Sequence, residues 1–135
     1  MAGLYLLDAN IVIAALREQP LVLRRLETAS LAELRLSTIV LGELEYGAEK
    51  SAYGPRNRAR LSTMVGSITN IGVDPETALR YGRLRAHLER QGTPIGANDL
   101  WIAAQALAIG ATVVTANERE FRRVPDLKVE NWLSA

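Results

Sequence analysis

Acidic side chains recur where apolar runs of this sequence meet polar segments: Asp8, Glu43, Asp99, Glu118 and Glu120. Several carboxylates gathered in one crevice repel one another and are costly unless a cation offsets their charge. Their hard oxygen atoms suit Mg²⁺ or Mn²⁺ rather than softer metals. If the fold brings these acids together, the chemistry that they predict is metal-assisted hydrolysis.

Each acid taken alone also has a structural explanation. Asp8 follows the first apolar run, where a carboxylate is either functional or accepts a backbone N–H of the next helix. Glu43 is predicted in the first turn of a helix, where it suits the helix dipole, with Glu45 on the solvated face. Asn98 and Asp99 both stand at the start of an apolar helix, which needs only one of them as its N-cap. The cluster is therefore more informative than any single acid.

More polar side chains follow the fourth apolar run: Thr115, Asn117, Glu118 and Glu120. In an open parallel sheet, the carboxyl ends of the strands form the crevice in which ligands bind. If the first and fourth strands are neighbours, these groups converge with Asp8. Position 120 lies one helical turn beyond position 117, so we expect Asn117 and Glu120 to face the crevice and Glu118 to face solvent.

Residue types that are missing narrow the chemistry. The chain has no cysteine, and its single histidine, His87, is predicted on the arginine-rich face of a helix. A histidine acid–base pair therefore cannot form within one chain. No nucleophile elbow, phosphate-binding loop or dinucleotide-binding glycine pattern occurs in the sequence. Metal-assisted hydrolysis remains as the main chemistry available.

Length and composition predict one domain over residues 1–135. The chain is 48% hydrophobic, and no apolar stretch approaches the roughly 20 residues of a membrane span. Its net charge of +1 indicates no particular partner, although 14 of its 16 basic residues are arginine. Arginine pairs well with phosphate, but a GC-rich genome also explains its abundance. The lack of cysteine and of a signal peptide favours a cytoplasmic protein.

Short apolar runs alternate with helix-like segments and predict strands at residues 4–7, 36–40, 68–73, 111–114 and 127–129. Residues 98–109 are apolar almost all round and stop at Gly110, which predicts a buried helix. Residues 51–60 contain Gly54, Pro55 and three arginines and are predicted to form a mobile loop. This alternation indicates an α/β fold with a mainly parallel sheet of four to five strands, flanked by helices.

Four segments of the sequence resemble motifs of the VapC toxins, the PIN-domain ribonucleases of toxin–antitoxin pairs. They are residues 6–11 (LLDANI), 37–47 (STIVLGELEYG), 92–104 (GTPIGANDLWIAA) and 115–121 (TANEREF). The resemblance implies a PIN-like fold and a Mg²⁺- or Mn²⁺-dependent endoribonuclease. It also implies a homodimer that a small VapB-like antitoxin holds inactive.

The same resemblance assigns roles to residues of this chain. Asp8, Glu43 and Asp99 match the three core acids of the family, and Glu120 matches the fourth. Asp8 and Asp99 are the expected metal ligands, while Asn10, Thr115 and Asn117 are expected to support them. In the mechanism that we expect, cations held by these acids bind the scissile phosphate and activate a water molecule.

Two other classes of protein also place an aspartate after the first strand. A receiver domain needs an adjacent acidic pair and a lysine after its last strand, whereas this chain has only Lys50 and Lys128. An aspartyl phosphatase needs a second aspartate where this chain has Asn10. The remaining alternative is a PIN fold kept as a non-catalytic RNA- or protein-binding module, which we expect to have lost core acids that this chain retains.

Overall fold

The computed structural model describes residues 3–50 and 52–134, which contain a five-stranded parallel sheet. Its strands are β1 Leu4–Leu7, β2 Leu34–Ser37, β3 Thr69–Ile71, β4 Ala111–Val114 and β5 Val129–Glu130. Their spatial order is β3-β2-β1-β4-β5, and all four neighbouring pairs are parallel. The predicted fold class is therefore confirmed.

Seven α-helices connect the strands in the part of the chain that is described. They are α1 Ala9–Leu16, α2 Pro20–Thr28, α3 Thr38–Glu49, α4 Gly54–Ser67, α5 Pro75–Arg90, α6 Ala97–Ile109 and α7 Glu118–Phe121, with a 3₁₀ turn at Leu31–Glu33 before β2. Across residues 3–50 and 52–134, no helix has the length and apolar character that crossing a bilayer requires.

The first strand of the sequence lies at the centre of the sheet. Leu4 pairs with Ala111 and Leu7 with Val114, so β1 and β4 are in register along their whole length. The backbone N–H of Asp8 extends this ladder by donating to the carbonyl of Val114 at 2.9 Å. The first and fourth strands are thus neighbours, which is the condition on which the expected convergence depended, and the residues after both strands meet at the carboxyl edge of the sheet.

The buried core packs helices against both faces of these short strands. Leu6 and Leu7 of β1 are almost fully buried, as the continuous apolar run predicts. Helix α6 contributes a run of five buried residues, 102–106, and ends at Gly110, whose φ of 69° is the left-handed conformation that favours glycine. Because α6 is held on several sides, its first turn is a rigid support for Asp99.

The boundary between β2 and α3 differs from the prediction. The run 36–40 was expected to be a strand because Ile39 and Val40 are β-branched. Instead Ser37 accepts a hydrogen bond from the backbone N–H of Ile39 at 3.1 Å and caps a helix that starts at Thr38. Glu43 is consequently the sixth residue of α3 and lies in its second turn, so the predicted position in the first turn is wrong.

Residues 52–60 also differ from the prediction, while Ser51 lies outside the described residues. Helix α4 begins at Gly54, with Pro55 in its first turn, and continues to Ser67. Proline suits this position because its missing N–H has no helical acceptor there. The three arginines extend from exposed or half-buried positions, and only Leu61 is fully buried. The segment therefore lacked the apolar periodicity that would have predicted a helix.

The outer strands also differ from their predicted ranges. Strand β3 is shorter than the predicted 68–73, and β5 begins two residues later than the predicted 127–129.

Candidate active site

Asp8 lies at the carboxyl end of the central strand β1. It both caps the next helix and faces the crevice, the two roles that its position allowed. Its Oδ1 accepts the backbone N–H of Ala9 at 2.9 Å, so Asp8 is the N-cap of α1. Its Oδ2 accepts the hydroxyl of Thr115 at 2.7 Å from the end of β4. The residue is only 5% exposed, so its carboxylate is held in one orientation at the crevice.

Asn10 and Thr115 connect the two central strands beside Asp8. Asn10 Nδ2 donates to Asp8 Oδ2 at 3.4 Å, and its Oδ1 accepts the backbone N–H of Ala116 at 3.0 Å. Thr115 Oγ1 also accepts the backbone N–H of Asn117 at 2.9 Å. These bonds place the polar segment after β4 against the start of α1, as the convergence argument predicted.

Asp99 lies in the first turn of α6 but does not cap it. The N-cap is Gly96, which makes no side-chain capping bond, so the prediction that Asn98 or Asp99 is the N-cap is wrong. The carboxylate of Asp99 instead accepts Asn117 Nδ2 at 3.0 Å. The same nitrogen donates to Glu120 Oε2 at 2.8 Å. Asn117 thus joins two of the candidate acids.

Glu120 and Glu118 have different surroundings on α7. Glu120 is half-buried beside Asp99 and accepts the backbone N–H of Gly96. Glu118 accepts Arg122 Nη2 at 2.8 Å and Asn131 Nδ2 at 3.1 Å, in an ion pair directed away from the acids. The helical offset between positions 117, 118 and 120 therefore separates the two glutamates in the way that was expected.

Glu43 contributes an oxygen atom without a hydrogen-bond partner. Its Oε1 is buried and unpaired, whereas Glu45 on the same helix is exposed. Burial, and secondly the negative charge of Asp8, raise the pKa of the Glu43 carboxyl above its ordinary value. A buried acceptor of this kind is costly to leave unpaired and is available to a ligand in the crevice.

The charges of the acids act strongly on one another. Burial, followed by the negative charges of Asp8 and Glu120, raises the pKa of Asp99 from 3.8 to about 7. The hydrogen bond from Asn117, followed by that from the Gly96 backbone, lowers the pKa of Glu120. None of the ion pairs within the described ranges includes any of the four candidate acids. The crevice therefore concentrates negative charge without a cationic side chain paired to it.

The acids of the crevice supply oxygen donors of the kind that a divalent cation binds. In residues 3–50 and 52–134, no three acidic or histidine side chains are arranged so that they could hold a metal ion by themselves. A pair of carboxylates is nevertheless sufficient for Mg²⁺, which keeps several waters and completes its shell with substrate phosphate. Asp8 and Asp99, which are close enough for their charges to interact, are the candidates for such a pair, and the unpaired oxygen of Glu43 is a further acceptor. The residues present fit a hard cation held by few protein ligands.

Two features of the site were missed by sequence reasoning. The backbone N–H of Gly96 binds Glu120, and Arg123 Nη1 donates to the carbonyl of Pro94 at 2.8 Å. These contacts join the 91–96 segment to α7 and to the turn that follows it, more than 20 residues later. The sequence offered one signal for these contacts: Gly96 precedes an apolar helix and has no side chain with which to cap it.

Comparison with known proteins places this geometry in a family. Residues 5–127 match the PIN domain. Ribonuclease VapC2 of Haemophilus influenzae is 40% identical over 129 residues, covering 96% of this chain and 98% of that protein. The tRNA(fMet)-specific endonuclease VapC of Salmonella typhimurium is 37% identical and covers 95% of this chain and 97% of that protein.

Solved structures agree with these matches. VapBC2 from Rickettsia felis, bound to a promoter DNA fragment, contains a chain that superposes with a TM-score of 0.85 at 38% identity, covering 96% of this chain and 98% of that one. DNA-bound VapBC from Salmonella typhimurium gives a TM-score of 0.87 at 35% identity, with coverage of 97% and 99%. The parallel sheet with acids at its carboxyl edge is thus that of the PIN-domain family, to which this chain belongs. Within the family it falls among the VapC ribonucleases, and the resemblance found in its motifs is confirmed.

Proposed function

We propose that this chain cleaves RNA internally in a Mg²⁺- or Mn²⁺-dependent reaction at the crevice of Asp8, Glu43 and Asp99, as the toxin of a toxin–antitoxin pair. The observation that carries the proposal is the concentration of carboxylates at the sheet edge. Burial, followed by the charges of Asp8 and Glu120, raises the pKa of Asp99 to about 7. A divalent cation offsets this repulsion, and the phosphodiester of RNA is a substrate that such a cation polarises.

Each side chain has a task that its contacts support. Asp8, oriented by Thr115 and Asn10, and Asp99, oriented by Asn117, are the residues that hold the cation. When bound, the cation supplies Lewis-acid stabilisation of the scissile phosphate and lowers the pKa of water. Glu43 has a buried carboxylate oxygen without a hydrogen-bond partner. The raised pKa of its carboxyl suits Glu43 to accept a proton from the attacking water.

The partners follow from the family. The solved relatives from Rickettsia felis and Salmonella typhimurium are VapBC complexes, which supports a VapB-like antitoxin as the regulator of this chain. We also propose a homodimer and action in the cytoplasm, where RNA and a co-synthesised antitoxin are encountered. Light scattering tests the dimer, and a monomer at micromolar concentration would contradict it.

In the decisive experiment, purified protein is incubated with a total RNA pool and with tRNA(fMet), the substrate named for the Salmonella relative. The ends of any cleaved RNA are then mapped. We expect cleavage with Mg²⁺ and none in excess EDTA. Asp8→Asn should abolish cleavage while Glu118→Gln, which removes one negative charge outside the crevice, should not.

Activity that persists in EDTA would refute the metal-dependent reaction. The alternative function is a non-catalytic PIN-fold module that binds RNA or protein. It predicts RNA binding, without cleavage, that is the same for the wild-type protein and for Asp8→Asn.

A further inference from the structure

The N-terminus of α6 lacks the side-chain cap that a helix normally has. Gly96 is the N-cap residue and Asp99 occupies the third helical position. In a capping box, the carboxylate at this third position accepts the backbone N–H of the N-cap residue. The same chain forms this bond elsewhere, where Glu33 accepts the N–H of Ser30 at 2.8 Å. Asp99 therefore occupies a position from which acidic side chains commonly cap their own helix.

At α6 this bond is made by a residue from another helix. The N–H of Gly96 donates to Glu120 Oε1, and Asp99 is directed instead toward Asn117 and the other acids. A methyl group added at Gly96 would lie 3.5 Å from this oxygen, so the carboxylate lies close against the backbone. Glu120 thus takes the capping contact and leaves the Asp99 carboxylate to the crevice.

Glu120 is itself held in place by its neighbours. Asn117 Nδ2 donates to its Oε2 at 2.8 Å, and Arg123 on the following turn donates to the carbonyl of Pro94 at 2.8 Å. The 91–96 segment is therefore joined to the residues around α7 at two points, through Gly96 and through Pro94. Neither oxygen of Glu120 is without a donor, in contrast to the unpaired oxygen of Glu43.

We infer that Glu120 is a positioning residue for Asp99. Glu120 caps α6 in place of Asp99 and fixes the 91–96 segment. This inference rests on the proposed function only in assigning a use to the Asp99 carboxylate. It differs from the assignment of Glu120 as an additional acid that acts directly in the crevice. A direct role requires the charge of Glu120, whereas a positioning role requires a hydrogen-bond acceptor facing Gly96.

Hydrogen exchange of the metal-free protein tests the contact without any activity measurement. Glu120→Gln keeps an oxygen that accepts the N–H of Gly96, and Glu120→Ala removes it. We expect exchange at Gly96 to rise roughly five- to tenfold in Glu120→Ala, the factor that corresponds to the loss of one helix cap, and to stay near wild type in Glu120→Gln. Arg123→Met should raise exchange across the same segment, and Glu118→Gln should not. Unchanged exchange in Glu120→Ala would overturn the inference.

Mg²⁺ titration and cleavage kinetics give the second measurement. We expect Glu120→Ala to weaken Mg²⁺ binding and to lower kcat with little change in KM. Glu120→Gln should restore kcat and most of the Mg²⁺ affinity, with a small deficit from the lost negative charge beside Asp99. If Glu120→Gln instead lost Mg²⁺ affinity as completely as Asp99→Asn, with normal exchange at Gly96, Glu120 would be a direct ligand and the inference would be wrong. If no variant and no wild-type protein cleaved RNA, the proposed function would fail while the exchange result still decided the role of Glu120.

Discussion

Asp99→Asn is expected to stabilise the metal-free protein while it removes activity. Burial and the charges of Asp8 and Glu120 raise the pKa of Asp99 from 3.8 to about 7 in the folded state. Between about pH 4 and pH 7 the folded protein therefore binds a proton that the unfolded chain has released, so stability falls as pH rises through this window. Above about pH 7 the full penalty of the ionised carboxylate is present.

The size of this effect follows from the pKa. A change of about 3 in pKa, at about 1.4 kcal/mol for each, gives an upper limit of about 4 kcal/mol. Because Asp99 is partly exposed, solvent screening reduces the expected gain to about 1–2 kcal/mol. For a chain of this size, that gain raises the Tm by roughly 3–8 °C. Asparagine still offers an oxygen to Asn117, so the variant loses the charge without losing that contact.

The measurement is thermal and urea unfolding in EDTA between about pH 4 and pH 8. We expect the gain from Asp99→Asn to be largest near pH 8 and to shrink as the pH falls toward 4. The matched control is Glu118→Gln, because hydrogen bonds from Arg122 and Asn131 lower the pKa of Glu118 and its loss should be slightly destabilising. Added Mg²⁺ should stabilise the wild type more than Asp99→Asn. An Asp99→Asn variant that is less stable than wild type near pH 8 would refute the electrostatic argument.

Two further outcomes are expected. Glu43→Gln should reduce the cleavage rate by orders of magnitude, because this side chain is directed into the crevice. Glu45→Gln should change the rate little, because Glu45 is exposed. Equal losses of both variants in a cleavage assay would contradict this orientation. Gln105→Leu should lower the free energy of unfolding by about 1–3 kcal/mol, since it leaves the buried hydroxyl of Ser37 without its acceptor, while the exposed carbonyl of Gly72 can bind water instead. Exposed Gln91→Leu is the control in urea unfolding, and a similar small loss for both variants would show that the buried network contributes little.

The central part of the fold was predictable because its signals are local. The run 4–7 is bounded by Asp8 and the run 111–114 follows Gly110, so both strands coincide with their predicted ranges. The same locality placed Asp8 at the end of a strand and Asp99 in the first turn of a helix. The start of α3 was missed because Ile39 and Val40 have high β-strand propensity, whereas the capping Ser37 favours a helix. Tertiary packing favoured the helix.

The remaining features depend on contacts between distant segments. Helix α4 has too few buried residues to show a periodicity. The bond between Glu120 and Gly96 requires the 91–96 segment and α7 to meet, which no local pattern of hydrophobicity records. Motif resemblance indicated that Glu120 matters, but the capping contact with Gly96 is visible only in the hydrogen bonds of the folded chain.

The central place of β1 has a consequence for how the protein is made. Asp8 is synthesised well before its neighbours Thr115 and Val114, which follow it by more than 100 residues. A nascent chain that ends before Ala111 leaves one edge of β1 unpaired and the crevice without half of its residues. Pairing between segments so far apart in sequence also slows folding. The crevice, and the cleavage activity that depends on it, therefore forms only after β4 has been synthesised, long after Asp8 itself.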